Sequence, residues 1–434
     1  MMNVKQQLDR AREILKNETP LMSREMLEGF VAGFLNERKK FLSIVEENGS
    51  PLYVFDENAL IRKARQMRDA FIKEIPSAKF FYALKSNNSS FIIQTLLKEG
   101  FGIDVSSGKE LNQALSLGTN SLIFSGPGKT YDEHMLCTRQ ADKVTVLLDS
   151  FGELSRLDEV ASKAGVRIRA GVRLMIEENG LWRKFGIPLK EVPRFFEEAK
   201  KKKNVDVCGL QFHSSWNLNA GKQVAFLSRI AKMLSRMDKN ILKKIKFLDI
   251  GGGYWPQQGE WMQPGSTPEG KLKQCLDPQL TEGMDHRYLP SITIEEFSKK
   301  LSKALEKYIF KYLDCDICIE PGRWLSHEAM HILLKVIDKK DKDVVITDGG
   351  TNSIGWERFE MDYFPVINLS SPALKENPCM VFGSLCTPHD LWGYSYFGKS
   401  IEEGDILLIP TQGAYTYSLR QEFIKPLPKE VHFT

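Results

Sequence analysis

A lysine closes an apolar run in Phe80-Phe81-Tyr82-Ala83-Leu84-Lys85-Ser86-Asn87. Unalternating apolar runs of this length read as strands buried on both faces, as in a parallel sheet. An amine at the end of such a strand loses solvation, which lowers its pKa and frees it as a nucleophile or as the partner of a carbonyl. Taken alone, Lys85 also reads as a side chain that simply leaves the core for solvent. Other reactive residue types stand at comparable places. Asp104 lies in the run 102–105, and Ser125-Gly126-Pro127-Gly128-Lys129 follows 121–124. Arg173 lies near the end of 167–174, and His213 follows Gly209-Leu210-Gln211-Phe212. Gly251-Gly252-Gly253 follows 246–250, and Glu320-Pro321-Gly322-Arg323 closes the run 316–320.

Three neighbouring glycines let backbone N–H groups approach an anion closely, and a helix after them would add its positive end. That suits a phosphate, and equally a tight turn. Arg323 offers a bidentate phosphate contact or an ordinary ion pair. Glu320 emerges from an apolar strand, where a carboxylate needs a cationic or N–H partner. An isolated histidine at the place of His213 is more often a satisfied core residue. Together, however, a phosphate site, a buried-strand lysine, a carboxylate and a histidine point to pyridoxal 5'-phosphate (PLP). The lysine would carry the cofactor, and the carboxylate would keep its pyridine nitrogen protonated as an electron sink.

These residues need a scaffold that brings strand ends together. Apolar strands are expected over 80–84, 102–105, 121–124, 144–149, 167–174, 207–212, 246–250 and 316–320, separated by Gly- or Ser-bearing loops and helical segments. About eight βα units in this length match a (β/α)8 barrel, whose chemistry collects at the C-terminal ends of its strands. A doubly wound sheet would want a G-x-G-x-x-G turn after its first strand, and none reads so. The expected class is thus α/β: a PLP-binding (β/α)8 TIM barrel over 51–325, followed by a mostly-β domain over 326–434. That domain would hold strands at 333–337, 344–347, 379–382, 406–410 and 431–434. Residues 1–50 read as a helical extension, with Val4, Leu8, Ala11 and Leu15 on one face and Ser23 capping a second helix. Pro51-Leu52-Tyr53-Val54-Phe55 reads as a strand before a helix carrying Leu60, Ala64, Met67 and Phe71. The stretch 255–291, rich in Pro, Gly and Gln, reads as an insert lying open over the barrel mouth.

Composition narrows the class further. The 434 residues suit two domains, and 42% hydrophobic with 27% charged residues is ordinary for a soluble globular chain. A net charge of +4 is too weak to imply nucleic acid, and Lys200 to Lys203 read as a solvated helix end. No apolar stretch reaches membrane-spanning length and no signal-type core opens the chain, so a cytoplasmic location is expected. Seven scattered cysteines argue against a disulfide framework, and the pair Cys315/Cys318 sits inside an apolar strand without a second pair nearby, so no metal site is expected.

The chain resembles the PLP-dependent decarboxylases of the alanine racemase fold (fold type III), the group of diaminopimelate and ornithine decarboxylases. The matching stretches are Tyr82 to Asn87, Gly102-Ile103-Asp104-Val105-Ser106-Ser107-Gly108-Lys109-Glu110, Lys184-Phe185-Gly186, Gly209 to His213, Asp249 to Gly253, Glu320 to Arg323, Cys386 with Asp390, and Gly413-Ala414-Tyr415. The resemblance implies that Lys85 carries the cofactor, His213 stacks on its ring and Glu320 pairs with the ring nitrogen. It implies that Gly251, Gly252, Gly253, Gly322, Arg323 and Tyr415 hold the phosphate end, with Asp104 and Arg173 in support. It also implies a head-to-tail homodimer in which Cys386 of the second subunit returns a proton after CO2 leaves. A thiol suits that task because its reference pKa lies not far above neutrality. A racemase of this fold pairs the ring nitrogen with arginine, so Glu320 and Cys386 favour decarboxylation.

Departures from the family pattern bear on the substrate. After Asp348-Gly349-Gly350, diaminopimelate decarboxylases carry an arginine and a tyrosine for the distal end of the substrate. Here Trp356 and Glu360 stand at those places, with Arg358 out of register. The acid expected after the cysteine is Thr387, within Cys386-Thr387-Pro388-His389-Asp390. Candidate substrate contacts are thus Arg323, Trp356, Arg358, Glu360, Thr387, Asp390 and Tyr415. A site with specific polar partners rejects substrates lacking the matching groups. The expected substrate is therefore a modified or conjugated amino acid of a siderophore- or antibiotic-type pathway, free or bound to a carrier protein. Diaminopimelate decarboxylation proper, racemisation or epimerisation on the same fold, a non-catalytic PLP-binding barrel and a sugar-phosphate barrel enzyme are the alternatives.

Overall fold

Eight parallel strands close into a barrel in the computed structural model, which describes residues 2–277, 283–355 and 362–433. They run Ala78–Ala83, Gly102–Val105, Leu122–Phe124, Val144–Leu148, Ile168–Arg173, Val205–Gln211, Phe247–Asp249 and Asp316–Ile319, the last pairing with the first. Each coincides with an expected apolar run, with ends shifted by at most two residues. The absence of alternation follows from burial on both faces; Gly102–Val105 is buried at every residue. Helices start promptly after the first four strands because Ser89, Ser107, Thr130 and Ser150 cap them, each side-chain oxygen accepting a backbone N–H. The barrel interior holds a cluster of Phe81, Ile123, Leu147, Cys208, Phe247 and Cys318. The Phe247 ring stands where a Cβ at Gly209 would be, so glycine at that position admits it. Burying such a ring contributes about 1.5–3 kcal/mol. Cys318 is thereby part of the barrel core.

The chain divides into two compact units, and the barrel unit comprises Asn58–Gln257 and Ile292–Ser326. The other comprises Met1–Glu57, Gln258–Ser291 and His327–Thr434. Its sheet runs Val344–Thr347, Glu376–Phe382, Leu391–Phe397, Ile367–Asn368, Ile406–Ile409, Met330–Asp341, Leu52–Phe55, Lys429–His432. Met330–Asp341 also pairs with Val344–Thr347, which folds much of the sheet back on itself. Ile332, Leu334, Leu407 and Ile409 face one core with Tyr53. Leu333 and Leu408, between them, face a second core with Leu27, Val31, Phe41 and Ile44 of helices Arg24–Asn36 and Arg38–Asn48.

Three boundaries therefore differ from expectation. The strand Leu52–Phe55 pairs with Met330–Asp341 and Lys429–His432 instead of opening the barrel unit. Residues 1–50, expected as a helical extension, belong to this unit, and two of their helices cover one face of its sheet. The stretch 255–291 is no open loop. Glu260–Met262 and Arg287–Leu289 form a hairpin, Pro268–Leu276 is helical, and Trp261 packs on Phe30 at 4.8 Å. Its neighbours bind it to the N-terminal segment, with Met22 N donating to His286 O at 2.9 Å and Thr19 N to Glu269 Oε1 at 2.7 Å. Long-range contacts of this kind leave no local pattern. The first helix, Val4–Lys16, forms with an Asn3/Gln6 capping box, yet Val4 and Leu8 remain exposed. No helix among the described residues is long and apolar enough to cross a membrane.

Candidate active site

The barrel gathers the strand-end residues. Lys85 lies in a turn, Leu84–Ser86, directly after the first strand, with Nζ 3.7 Å from Asp104 Oδ2 of the second. Arg173 ends the fifth strand, donates from Nη1 to Ser125 O at 3.0 Å and lies over the Phe185 ring at 4.4 Å. Glu320, buried, follows the last strand; Gln211 Nε2 donates to its Oε1 at 3.2 Å, and its Oε2 lies 3.6 Å from His213 Nδ1. That histidine nitrogen accepts from Gly252 N–H at 3.2 Å, so its proton belongs on Nε2 and its approach to Glu320 is neither a hydrogen bond nor an ion pair. Burial lowers the His213 pKa further. The imidazole is neutral.

The glycine turn is shaped by sterics and by hydrogen bonds. Gly251 has φ +68°, and a Cβ there would meet Phe212 O at 2.6 Å. A Cβ at Gly252 would collide with the carbonyl of Glu320. Gly251 N–H donates to Asp249 Oδ1 at 2.8 Å and Gly252 N–H to His213, whereas Gly253 N–H meets no acceptor among the described residues. The N–H left for an anion is thus Gly253's, a narrower provision than three glycines suggest. The helix expected after them is not there. The chain passes into Gln258–Ser291 of the other unit, and the next barrel helix is Ile294–Tyr308. Asn217, buried, clamps the turn instead by donating from Nδ2 to Gly252 O at 2.8 Å. Gly322 allows the close approach of Ser86, and Arg323 stacks on Trp255 at 4.1 Å.

Three buried carboxylates, Asp104, Asp249 and Glu320, lie together, and Lys85 acts on Asp104 and Glu320. Burial, then the Glu320 charge, pushes Asp104 up to about 7 against the pull of Lys85. Asp249 is raised well above the carboxylate range, by burial first and by Glu320 second. Burial disfavours the charge on Glu320 as well, but the Lys85 ammonium and the neighbouring proton of Asp249 favour its ionised form. Among the described residues neither Asp104 oxygen nor Asp249 Oδ2 meets an N–H or O–H donor at hydrogen-bond geometry, though Ser125 lies near Asp104 and Glu320 near Asp249. This donor set fits PLP: an ionised carboxylate for a protonated ring nitrogen, a neutral imidazole for a ring face, a free N–H on a glycine turn for a phosphate, and a lysine. Asp249, Gln211 and Asn217 were given no role from the sequence. Asp249 and Gln211 sit inside apolar strands, and only their place beside other site residues gives them away.

In the other unit, Cys386 is exposed. Asp390, expected against substrate, is turned inward and buried. Its Oδ1 accepts from Thr351 N at 2.7 Å and its Oδ2 from Leu385 N at 2.7 Å, so it ties the cysteine loop to the segment after Gly350. Thr387 Oγ1 accepts from His389 N within the same turn. Tyr415 is half-buried and left-handed, with φ 56°. Trp356, Arg358 and Glu360 lie outside the described residues.

The model of the pyridoxal-binding domain of pyridoxal-dependent decarboxylases matches residues 57–327. Diaminopimelate decarboxylase of Methanothermobacter thermautotrophicus is 26% identical over 407 residues, covering 90% of this chain and 88% of its own. L-glutamyl-[BtrI acyl-carrier protein] decarboxylase of Niallia circulans is 22% identical over 410 residues, covering 88% of each. The crystal structure of diaminopimelate decarboxylase from Helicobacter pylori complexed with L-lysine shares the fold, with TM-score 0.72 at 22% identity over 90% of this chain and 93% of that one. The chain therefore belongs to the pyridoxal-dependent decarboxylases of the diaminopimelate and ornithine decarboxylase family, amino-acid carboxy-lyases whose cofactor is pyridoxal phosphate.

Proposed function

We propose that this decarboxylase acts on a modified or conjugated amino acid and not on ordinary meso-diaminopimelate. The observation that carries this reading is the state of Asp390. It is the one acid in the run after Cys386, and both its oxygens are consumed by backbone N–H groups. Thr387 stands where an acid would read a distal amine, and a hydroxyl cannot supply that charge. The similarity to a decarboxylase named for a carrier-bound glutamyl group supports the same direction.

Bound PLP supplies an electron sink for the bond to the departing carboxylate. Lys85 is the attachment point, Glu320 keeps a proton on the ring nitrogen, and neutral His213 covers a ring face without repelling its positive charge. The turn that Gly251 and Gly252 shape holds the phosphate end through the Gly253 N–H, with Gly322, Arg323 and Tyr415, while Asp104 and Arg173 steady Lys85 and the neighbouring loops. The chain works in the cytoplasm as a head-to-tail homodimer, each copy lending Cys386 to the other's barrel as the proton donor.

The test is CO2 release by the PLP-loaded protein from diaminopimelate, ornithine, lysine, arginine, and citryl- and glutamyl-linked amino acids, free and carrier-bound. Release from a conjugate alone is expected. Brisk release from diaminopimelate would overturn the substrate reading, and α-proton exchange without CO2 would turn it toward a racemase.

A further inference from the structure

A cavity of about 380 Å³ lies beside His213, between the loop after the fifth barrel strand and the start of helix Gly221–Leu234. Its volume falls in the range of about 300–1,000 Å³ usual for small-molecule sites. Two indoles wall it. Trp182 lies 6.5 Å from the His213 ring, and Trp216 lies 5.7 Å from Trp255, on which Arg323 stacks. Ser214 and Ser215, also in its lining, directly follow His213. The cavity and the cofactor-facing histidine therefore share one loop.

Trp216 is 50% exposed and left-handed, with φ 55°. A bulky residue in that region is strained, and such strain gathers at ligand sites. The charged lining is Lys222 and Arg229 against the single acid Glu177. Arg229 donates from Nη1 to Ile176 O at 2.6 Å and lies over the Phe226 ring, and Lys222 Nζ donates to Ser215 O at 3.5 Å, so both cations are held at the cavity with donors left over. Apolar walls with a cationic excess recognise an organic chain that ends in an anion.

We propose that this cavity seats the distal end of the substrate, an amino acid extended through its side chain by a carboxylate-bearing acyl group. The inference rests on the conjugated-substrate reading above and gives that substrate a chemical class and a place. The acyl carbons lie between Trp182 and Trp216, and the carboxylate meets Lys222 and Arg229. A neutral acyl group of the same length would keep the apolar contact and lose the charged one.

Three amines that cannot lose CO2 test this: cadaverine, N-acetylcadaverine and N-succinylcadaverine, titrated calorimetrically into PLP-loaded enzyme. The succinyl compound is expected to bind at least tenfold more tightly than the acetyl one. Lys222→Glu, at an exposed helix position, should remove that preference. Ala225→Trp, which fills the cavity from the same helix, should weaken both acylated amines tenfold or more and leave cadaverine unchanged. Equal affinities in the wild type, or variants indistinguishable from it, would overturn the assignment. If conjugates are nevertheless decarboxylated, the substrate reading stands and only the cavity's role falls; if diaminopimelate alone is decarboxylated, both fall.

Discussion

Replacing Asp104 by asparagine should stabilise the barrel at alkaline pH, and the structure gives the size of the effect. Asp104 is buried, its oxygens meet no N–H or O–H donor at hydrogen-bond geometry among the described residues, and Lys85 lies 3.7 Å away. Its pKa is pushed up to about 7, first by burial and then by Glu320. An unfolded aspartate titrates near 3.9. Between about 4 and 7 the native state holds a proton that the unfolded chain has released, so stability falls as pH rises, by about 1.4 kcal/mol per pH unit. Across the window that amounts to about 4 kcal/mol. Asparagine removes the charge at almost unchanged shape, but its amide is a buried polar group whose lack of a partner costs about 1–3 kcal/mol. At pH 8 the variant should therefore gain about 2 kcal/mol, a rise in Tm of about 4–8 °C for a unit of this size. At pH 4 the wild-type carboxyl is already neutral, only the cost of the amide remains, and the variant should melt below the wild type. The assay is thermal unfolding of cofactor-free protein by circular dichroism from pH 4 to 8. A variant that keeps the wild-type slope, or melts lower at pH 8, would refute the assignment of this proton.

Lys85→Ala should abolish the borohydride-trapped attachment of cofactor to the chain; an unchanged cofactor spectrum in the variant would sink the role given to this lysine. Cys386→Ala should slow turnover about 10²–10⁴-fold, the usual contribution of a positioned acid, or divert it to abortive transamination, whereas wild-type rate and product would exclude this thiol as the donor. Gly252→Ala drives a Cβ into the Glu320 carbonyl. Overpacking of about 1–3 kcal/mol should weaken PLP binding about 5- to 150-fold by spectroscopic titration, and wild-type affinity would show that the turn yields freely.

The barrel was legible because each of its strands is buried on two faces and so carries an unbroken apolar run. The reactive types at their C-terminal ends were legible for the same reason, a polar residue being conspicuous where such a run stops. Asp249 was quoted in a motif and given no role, since nothing local says that an acid inside Phe247–Asp249 shapes the next turn. Asp390 was misread because its spacing from Cys386 is visible and its inward orientation is not. Strand Leu391–Phe397 and its neighbour Ile367–Asn368 went unread, and Gln258–Ser291 was taken for an open loop. Membership of a sheet or unit is decided by partners far along the chain, such as Phe397 opposite Ile367 or Tyr288 opposite Trp261.

One chain of contacts joins the two ends of the cofactor site. Asp249 accepts from Gly251 N–H, and Gly251 O accepts from Glu320 N–H at 2.9 Å. The turn proposed to meet the phosphate is thus laced to the carboxylate proposed for the ring nitrogen. Their charges are linked too. The two acids are buried together and cannot both be cheaply ionised. The Lys85 charge favours ionisation of Glu320, which leaves the proton on Asp249. A proton there neutralises the acid that holds the turn, while Glu320 keeps the charge that a protonated ring nitrogen requires. A lesion in the turn should therefore not act on phosphate affinity alone. By displacing Gly252 from His213 and from Glu320, Gly252→Ala should also alter the visible spectrum of the cofactor that remains bound. A simple loss of affinity with an unaltered spectrum would mean that the two ends are built independently.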